Sequence, residues 1–295
     1  MAHTLHLPVP ARTRRILKSV MATSPSRITT LAHPRPQAAS APLALWHLLS
    51  LDAPTVATLW LCFIARATHT ALAPAFVVAM FLVVWILYAL DRLLDTRNNP
   101  NPAALEHRHH FHRTHRHAFR TAIVLATLAL PPLLIASHLP AKTLELYAAL
   151  ALALALWFLA VHLRPTRSLP KEIVTGLFFA AALWVPFASS KAIIPALLLA
   201  ALCTLNCIYI HTWEHSTAAF AHPTTILTRR HLPQASLAII LIGLLRSTPI
   251  SLAIACSAAL LILLSELRHH IESTTLRAAA DLALLTPLFF LALVH

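Results

Sequence analysis

The sequence predicts an all-α, polytopic membrane protein of about nine transmembrane helices, on three observations. Of its 295 residues 58% are hydrophobic and only 11% charged, with a mean hydropathy of +0.71; a soluble globular chain carries roughly a quarter charged residues. Runs such as APAFVVAMFLVVWILYAL (73–90) and LYAALALALALWFLAVHL (146–163) contain no Asp, Glu, Lys or Arg and reach the ~18 residues needed for a bilayer-spanning helix. The runs are continuous and rich in Ala and Leu, whereas barrel strands alternate apolar and polar residues in segments of about ten.

Residues 1–41 precede the first apolar segment. They are rich in Pro, Ser, Thr, Ala, Arg and His without a sustained apolar period, which predicts a disordered basic arm on the cytoplasmic side. TRRILK (13–18) resembles a twin-arginine signal, but no short apolar region with a small-residue cleavage site follows closely. The transmembrane domain then occupies 42–295 and divides into nine apolar segments. The first two, 52–69 and 71–91, are separated by one short turn. The third, 119–137, contains Pro131 and Pro132, which predicts a kink or a local loss of helical hydrogen bonds. The fourth is the run ending at 163, and the fifth and sixth cover 172–189 and 192–213. The seventh and eighth, 234–248 and 250–267, meet at Pro249, and 277–294 closes the chain. With only Gly176 and Gly243 present, close helix packing through glycine cannot be general, and alanine has to supply most small interface positions.

Charge placement orients these segments. With the N-terminus inside, 19 of the 23 Lys and Arg fall on the cytoplasmic side, leaving Arg66, Lys142, Lys191 and Arg246 on the other. This asymmetry follows the positive-inside rule and supports an odd count of nine. It also accounts for the formal charge of +13 through anionic lipid headgroups rather than nucleic acid. The longest loops, 92–118 and 214–233, become cytoplasmic, and chemistry is expected at that face.

Acidic residues number only ten, so their positions carry information. Asp91 and Asp95, in YALDRLLDTR, stand at i and i+4 on one face of the second helix. They repel each other near the negative end of the helix dipole. A divalent cation such as Mg²⁺ would turn that repulsion into attraction; neutralisation by Arg92 and Arg97 is the alternative. LNCIYIHTWEH (205–215) places Asn206 and Glu214 on the sixth helix two turns apart, and ionisable groups at membrane depth are functional candidates. Lys171 and Glu172 open the fifth helix, whose N-terminal turn attracts anions.

Nine helices, a DxxxD ending the second, a polar motif ending the sixth and a basic residue opening the fifth resemble the UbiA family of intramembrane prenyltransferases over residues 45–294. The resemblance implies a UbiA-like helical bundle and Mg²⁺-dependent transfer of a prenyl group from an isoprenoid diphosphate to a lipophilic acceptor. Asp91 and Asp95 match the last two acids of the family's first motif, with Leu87 where Asn is usual. Asn206, Ile210 and Glu214 stand where the second motif commonly has three acids. On this basis Asp91, Asp95 and Glu214 are the expected catalytic metal ligands. Arg97, Lys171 and Asn206 are the expected substrate-binding residues. A non-catalytic relative that binds an isoprenoid is the alternative.

Other features stay open at this level. EHRHHFHRTHRH (106–117), with HTWEH (211–215) and His269–His270, invites comparison with histidine-box di-iron oxidases, since imidazole suits iron. The same loop would equally serve as a basic headgroup-facing segment or a cover for a diphosphate. Asp281 is expected to pair with Arg277 at i−4. Cys62, Cys203, Cys207 and Cys256 form no disulfide or zinc pattern and are expected as buried small residues.

The topology is directly testable. A reporter that matures only in the cytoplasm, inserted within 98–106 or 216–221, is expected to be active; at 138–140 or 189–191 it is expected to be silent. The reverse pattern would exclude a cytoplasmic N-terminus.

Overall fold

A chain embedded in lipid has to pair its own N–H and C=O groups, and continuous apolar runs do so as helices. The computed structural model describes residues 41–98, 107–163, 170–187, 193–214 and 222–294, and every regular element among them is helical. In chain order these are α1 (Ala41–Leu48), α2 (Asp52–Ala67), α3 (Pro74–Asn98), α4 (His107–Thr114) and α5 (Arg116–Ala136). Then come α6 (Ala141–Leu163), α7 (Lys171–Trp184), α8 (Ile193–Glu214) and α9 (Pro223–Arg230). The last four are α10 (Leu232–Arg246), α11 (Pro249–Leu267), α12 (Ser273–Ala283) and α13 (Pro287–Phe290). The basic arm expected over 1–41 lies outside the described residues, apart from Ala41.

Each of the nine apolar segments forms helix, but they differ in length. Six stretches are long and apolar enough to cross a membrane: 74–95, 116–136, 141–161, 193–214, 249–270 and 273–293. A seventh arises if α1 and α2, bent 90° to each other, count as one broken span. The chain is therefore an integral membrane protein. With 14 and 15 residues, α7 and α10 measure only ~21–23 Å at 1.5 Å per residue, short of a hydrocarbon core of ~30 Å. Pro131 and Pro132 both lie inside α5, which continues through them. A helix break falls near Pro287, between α12 and α13. There Thr286 Oγ1 donates to the Ala253 carbonyl (2.8 Å) and lies 2.6 Å from Ser257 Oγ.

Turns between helices are closed by local chemistry. Ser247, left-handed at φ 50°, ends α10, and Thr248 caps α11 by accepting from Ser251 N at 3.2 Å, with Pro249 at the first helical position. His222 caps α9 in the same way, accepting from Thr224 N at 3.3 Å.

The two most extensive helix contacts are α7 with α8 and α10 with α11, and each contains one of the two glycines. A Cβ on Gly176 would stand 2.5 Å from the Thr204 nitrogen and 2.8 Å from its Cα. One on Gly243 would stand 2.7 Å from the Ser251 carbonyl oxygen. Glycine is thus rare but sits where two backbones come nearest. The core is built by α2, α8 and α11, with Trp60, Phe63, Leu199, Ile208 and Ile254 almost wholly enclosed. By contrast α5 and α6 turn large apolar side chains outward, including Leu125 (63% exposed) and Leu152 (64%), the surface that lipid covers. The cysteines follow this division: Cys203 is buried, Cys62 and Cys207 are half-buried, and Cys256 is exposed rather than buried as expected.

Gly176→Ala is expected to destabilise the protein in mild detergent by ~1–3 kcal/mol through overpacking of α7 on α8, read as a lowered Tm. Leu152→Ala on the outer face of α6 should leave Tm nearly unchanged. Equal shifts would show that the α7–α8 contact is not close-packed.

Candidate functional site

The α1–α2 corner brings charge into the interior. Ser50, fully buried, adopts a left-handed φ of 59°, a strained conformation for a non-glycine residue that surrounding contacts have to hold. Its hydroxyl lies 3.1 Å from His112 Nε2 of α4, and His112 stacks on Phe119 at 4.2 Å. From α3, Trp85 Nε1 donates to the Leu49 carbonyl (3.0 Å) and Arg92 Nη1 to the His47 carbonyl (2.7 Å). Residues 85 and 92 are seven apart and share a helix face, so α3 clamps the corner at two points.

Asp52 opens α2 and is 1% exposed. Its carboxylate accepts from Ala53 N (3.0 Å) and Arg92 Nη2 (3.3 Å), and lies 2.6 Å from His47 Nδ1. Arg92 is 5% exposed. The sequence offers Arg92, with Arg97, as an alternative for neutralising Asp91 and Asp95; the structure directs its guanidinium to Asp52 and the His47 carbonyl. The guanidinium points to α1 and α2, because the fully buried Asp52 leaves it the partner with least solvent.

Asp281 of α12 completes the cluster. One ligating atom each of His47, Asp52 and Asp281 lie within 4.8 Å of one another, the group of three such side chains found among the described residues. Asp281 does not pair with Arg277, as its i−4 spacing predicts; Asn206 Nδ2 of α8 donates to it at 3.2 Å. Arg277 reaches Glu214 at the end of α8 instead. The helices α8 and α12 run in antiparallel register here, so 206 faces 281 and 214 faces 277, and the inter-helix partners lie closer than the intra-helix one.

Next to this cluster a small cavity of about 30 Å³, partly open, lies between α2, α3, α7, α8 and α12. Its polar wall consists of Tyr88, Thr175, Cys203, Asn206, Cys207 and Asp281; Ala53, Val56, Phe179 and Leu284 supply apolar wall. Asn206 is 6% exposed, and its Oδ1 has no hydrogen-bond partner.

Of the residues anticipated from sequence, one lines this cavity and the others lie on helices that border it. Asp91 and Asp95, half-buried, follow cavity-lining Tyr88 on α3 by three and seven residues, along one helix face. Asn206 lines the cavity itself. Glu214 is 18% exposed and engaged by Arg277, so it has to release that partner to bind a metal. Lys171, half-buried, opens α7 as expected; its neighbour Glu172 accepts from Thr225 Oγ1 (2.8 Å) and lies 3.6 Å from His211 Nδ1. The Arg97 side chain lies outside the described residues. Asp91, Asp95 and Glu214 do not bring their carboxylates together as one group of three within the same limit. As a donor set, the Asp91–Asp95 pair offers Mg²⁺ hard carboxylate oxygens from residues one helical turn apart. From the histidine-rich loop, His112 serves the packing of α4 rather than a surface. Sequence reasoning missed His47 and Asp52, although an acid opening the apolar helix 52–67 was itself a signal. Comparison with protein-family models, curated proteins and solved structures finds no match.

Removing one partner of a fully buried ion pair strands the other, at a cost of ~3–5 kcal/mol. Arg92→Gln is therefore expected to lower thermal stability far more than Arg277→Gln, whose half-buried pair is worth ~1 kcal/mol or less. Thermal unfolding followed by circular dichroism checks the ranking, and the opposite order would remove Arg92 from its role as anchor.

Proposed function

We propose that the protein transfers a prenyl group from an isoprenoid diphosphate to a lipophilic acceptor at the cytoplasmic face of the membrane, as a UbiA-like nine-helix enzyme. The observation carrying this reading is the cavity between α3 and α8, the two helices that hold Asp91–Asp95 and Asn206–Glu214. In this reading α7 and α10 count as short spans and the bent α1–α2 pair as a single span. The N-terminus is then inside and the protein sits in the inner, or cytoplasmic, membrane.

Asp91 and Asp95 would hold one Mg²⁺ and Glu214 the other, once Arg277 releases its carboxylate. Bound Mg²⁺ neutralises the diphosphate and so favours its departure. Lys171 and Arg97 would stabilise the same leaving group, since fixed cations aimed at developing charge are effective in a site from which water is excluded. The allylic C–O bond breaks, diphosphate leaves with the electron pair, an acceptor carbon or oxygen captures the cation, and that acceptor sheds a proton. The apolar wall of Ala53, Val56, Phe179 and Leu284 keeps water from capturing the cation first.

One observation favours a second reading. Glu214 already holds Arg277, which suits a relative that binds an isoprenoid without turning it over. The two separate in one experiment. Membranes are given labelled farnesyl or geranylgeranyl diphosphate, Mg²⁺ and a lipid extract. Wild type is expected to release diphosphate at least 10-fold faster than an Asp91→Asn, Asp95→Asn double variant. Binding of the labelled substrate without excess release supports the second reading, and neither binding nor release sinks both.

A further inference from the structure

The cluster of His47, Asp52 and Asp281 takes no part in the prenyl-transfer reading, yet its composition is unusual for a helix interior. Two carboxylates and an imidazole nitrogen lie within 4.8 Å of one another. Carboxylates that close require a positive charge or a proton between them. Arg92 balances only one of the two, and it reaches Asp52 at 3.3 Å while its shorter bond, 2.7 Å, goes to the His47 carbonyl. With a neutral imidazole, the second carboxylate has to be balanced by a proton or by a bound cation.

A second observation comes from a different helix. Asn206, 6% exposed, gives its amide N–H to Asp281, while its Oδ1 is buried with no partner. Both amide atoms hang from one carbon, so the orphaned acceptor is one half-turn of the amide away from facing the cluster. A buried acceptor left unpaired is costly, and a cation is what an amide oxygen beside two carboxylates would satisfy. A half-turn of the amide exchanges the two atoms in nearly the same volume and directs the oxygen at the cluster.

We propose that His47, Asp52 and Asp281, with the Asn206 amide oxygen, bind a divalent first-row transition cation of the Mn²⁺, Fe²⁺ or Zn²⁺ type, distinct from the Asp91–Asp95 pair. An imidazole in the donor set selects these ions over Mg²⁺ and Ca²⁺, and the carboxylate and amide oxygens keep the set hard enough for Mn²⁺. Arg92 stays on the His47 carbonyl and on Asp52, orienting the ligands from behind as partners of metal ligands commonly do. Asp281 and Asn206 also line the cavity, so the ion can be reached from it.

The test uses the full-length chain in lipid nanodiscs, stripped with EDTA and titrated with Mn²⁺. Wild type is expected to bind at least one Mn²⁺ and to show nitrogen coupling from a single imidazole in pulsed electron paramagnetic resonance. Both should persist in the Asp91→Asn, Asp95→Asn double variant. Asp281→Asn should weaken binding at least 10-fold, and His47→Gln should abolish the nitrogen coupling. The proposal is overturned if folded wild type binds no stoichiometric Mn²⁺, if the bound ion shows no nitrogen coupling or if that coupling survives His47→Gln. It is equally overturned if the double variant alone abolishes binding. Should the single variants fail to fold, the wild-type spectrum still decides. None of these outcomes depends on prenyl transfer.

Discussion

A carboxylate that is 1% exposed inside an apolar helix bundle has to be compensated, and the geometry around Asp52 follows from that constraint. Arg92 is drawn inward from the end of α3, His47 from α1, and the chain between α1 and α2 turns through 90° to allow both contacts. The left-handed Ser50 is the local strain of that turn, offset by its contact with His112 and by the two α3 bonds to the corner carbonyls. One ionic arrangement thereby joins four helices that have few other polar means of recognising each other.

Elsewhere the bundle relies on shape. Lipid tails are as apolar as leucine, so close packing and hydrogen bonds between helices, rather than apolar burial alone, decide which helices associate. Gly176 and Gly243 stand at the two most extensive contacts, and side-chain bonds to free carbonyls add to them. Trp60 Nε1 donates to the Leu284 carbonyl at 2.9 Å, next to the end of α12, and Tyr147 Oη to the Ala182 carbonyl at 2.8 Å. These bonds keep backbone acceptors near helix ends paired where water is absent.

The cavity arises where these two kinds of contact meet. Its apolar side comes from the shape-packed helices α2 and α7, and its polar side from Asn206 and Asp281, which the α8–α12 register brings face to face. That register also explains how a local expectation failed. Arg277 and Asp281 sit one turn apart on α12, but each finds an inter-helix partner on α8, at Glu214 and Asn206. A spacing rule ranks only neighbours on the same helix, and it has no knowledge of a second helix packed alongside.

Much of the fold is legible in the sequence by itself. Continuous apolar runs free of charge locate the helices, because hydration cost depends on composition alone; α8 and α11 begin and end within a residue of the expected positions, while α3 runs on to Asn98. The DxxxD spacing likewise puts Asp91 and Asp95 on one face, since helical geometry is local. Length is less legible: α5 runs through Pro131 and Pro132, while α7 and α10 stop short of a full span. The direction of Arg92, the exposure of Cys256 and the meeting of His47, Asp52 and Asp281 are decided only in three dimensions. Hydropathy and helical period are properties of a segment by itself, whereas the partner of a buried charge depends on which other segment the packing places next to it.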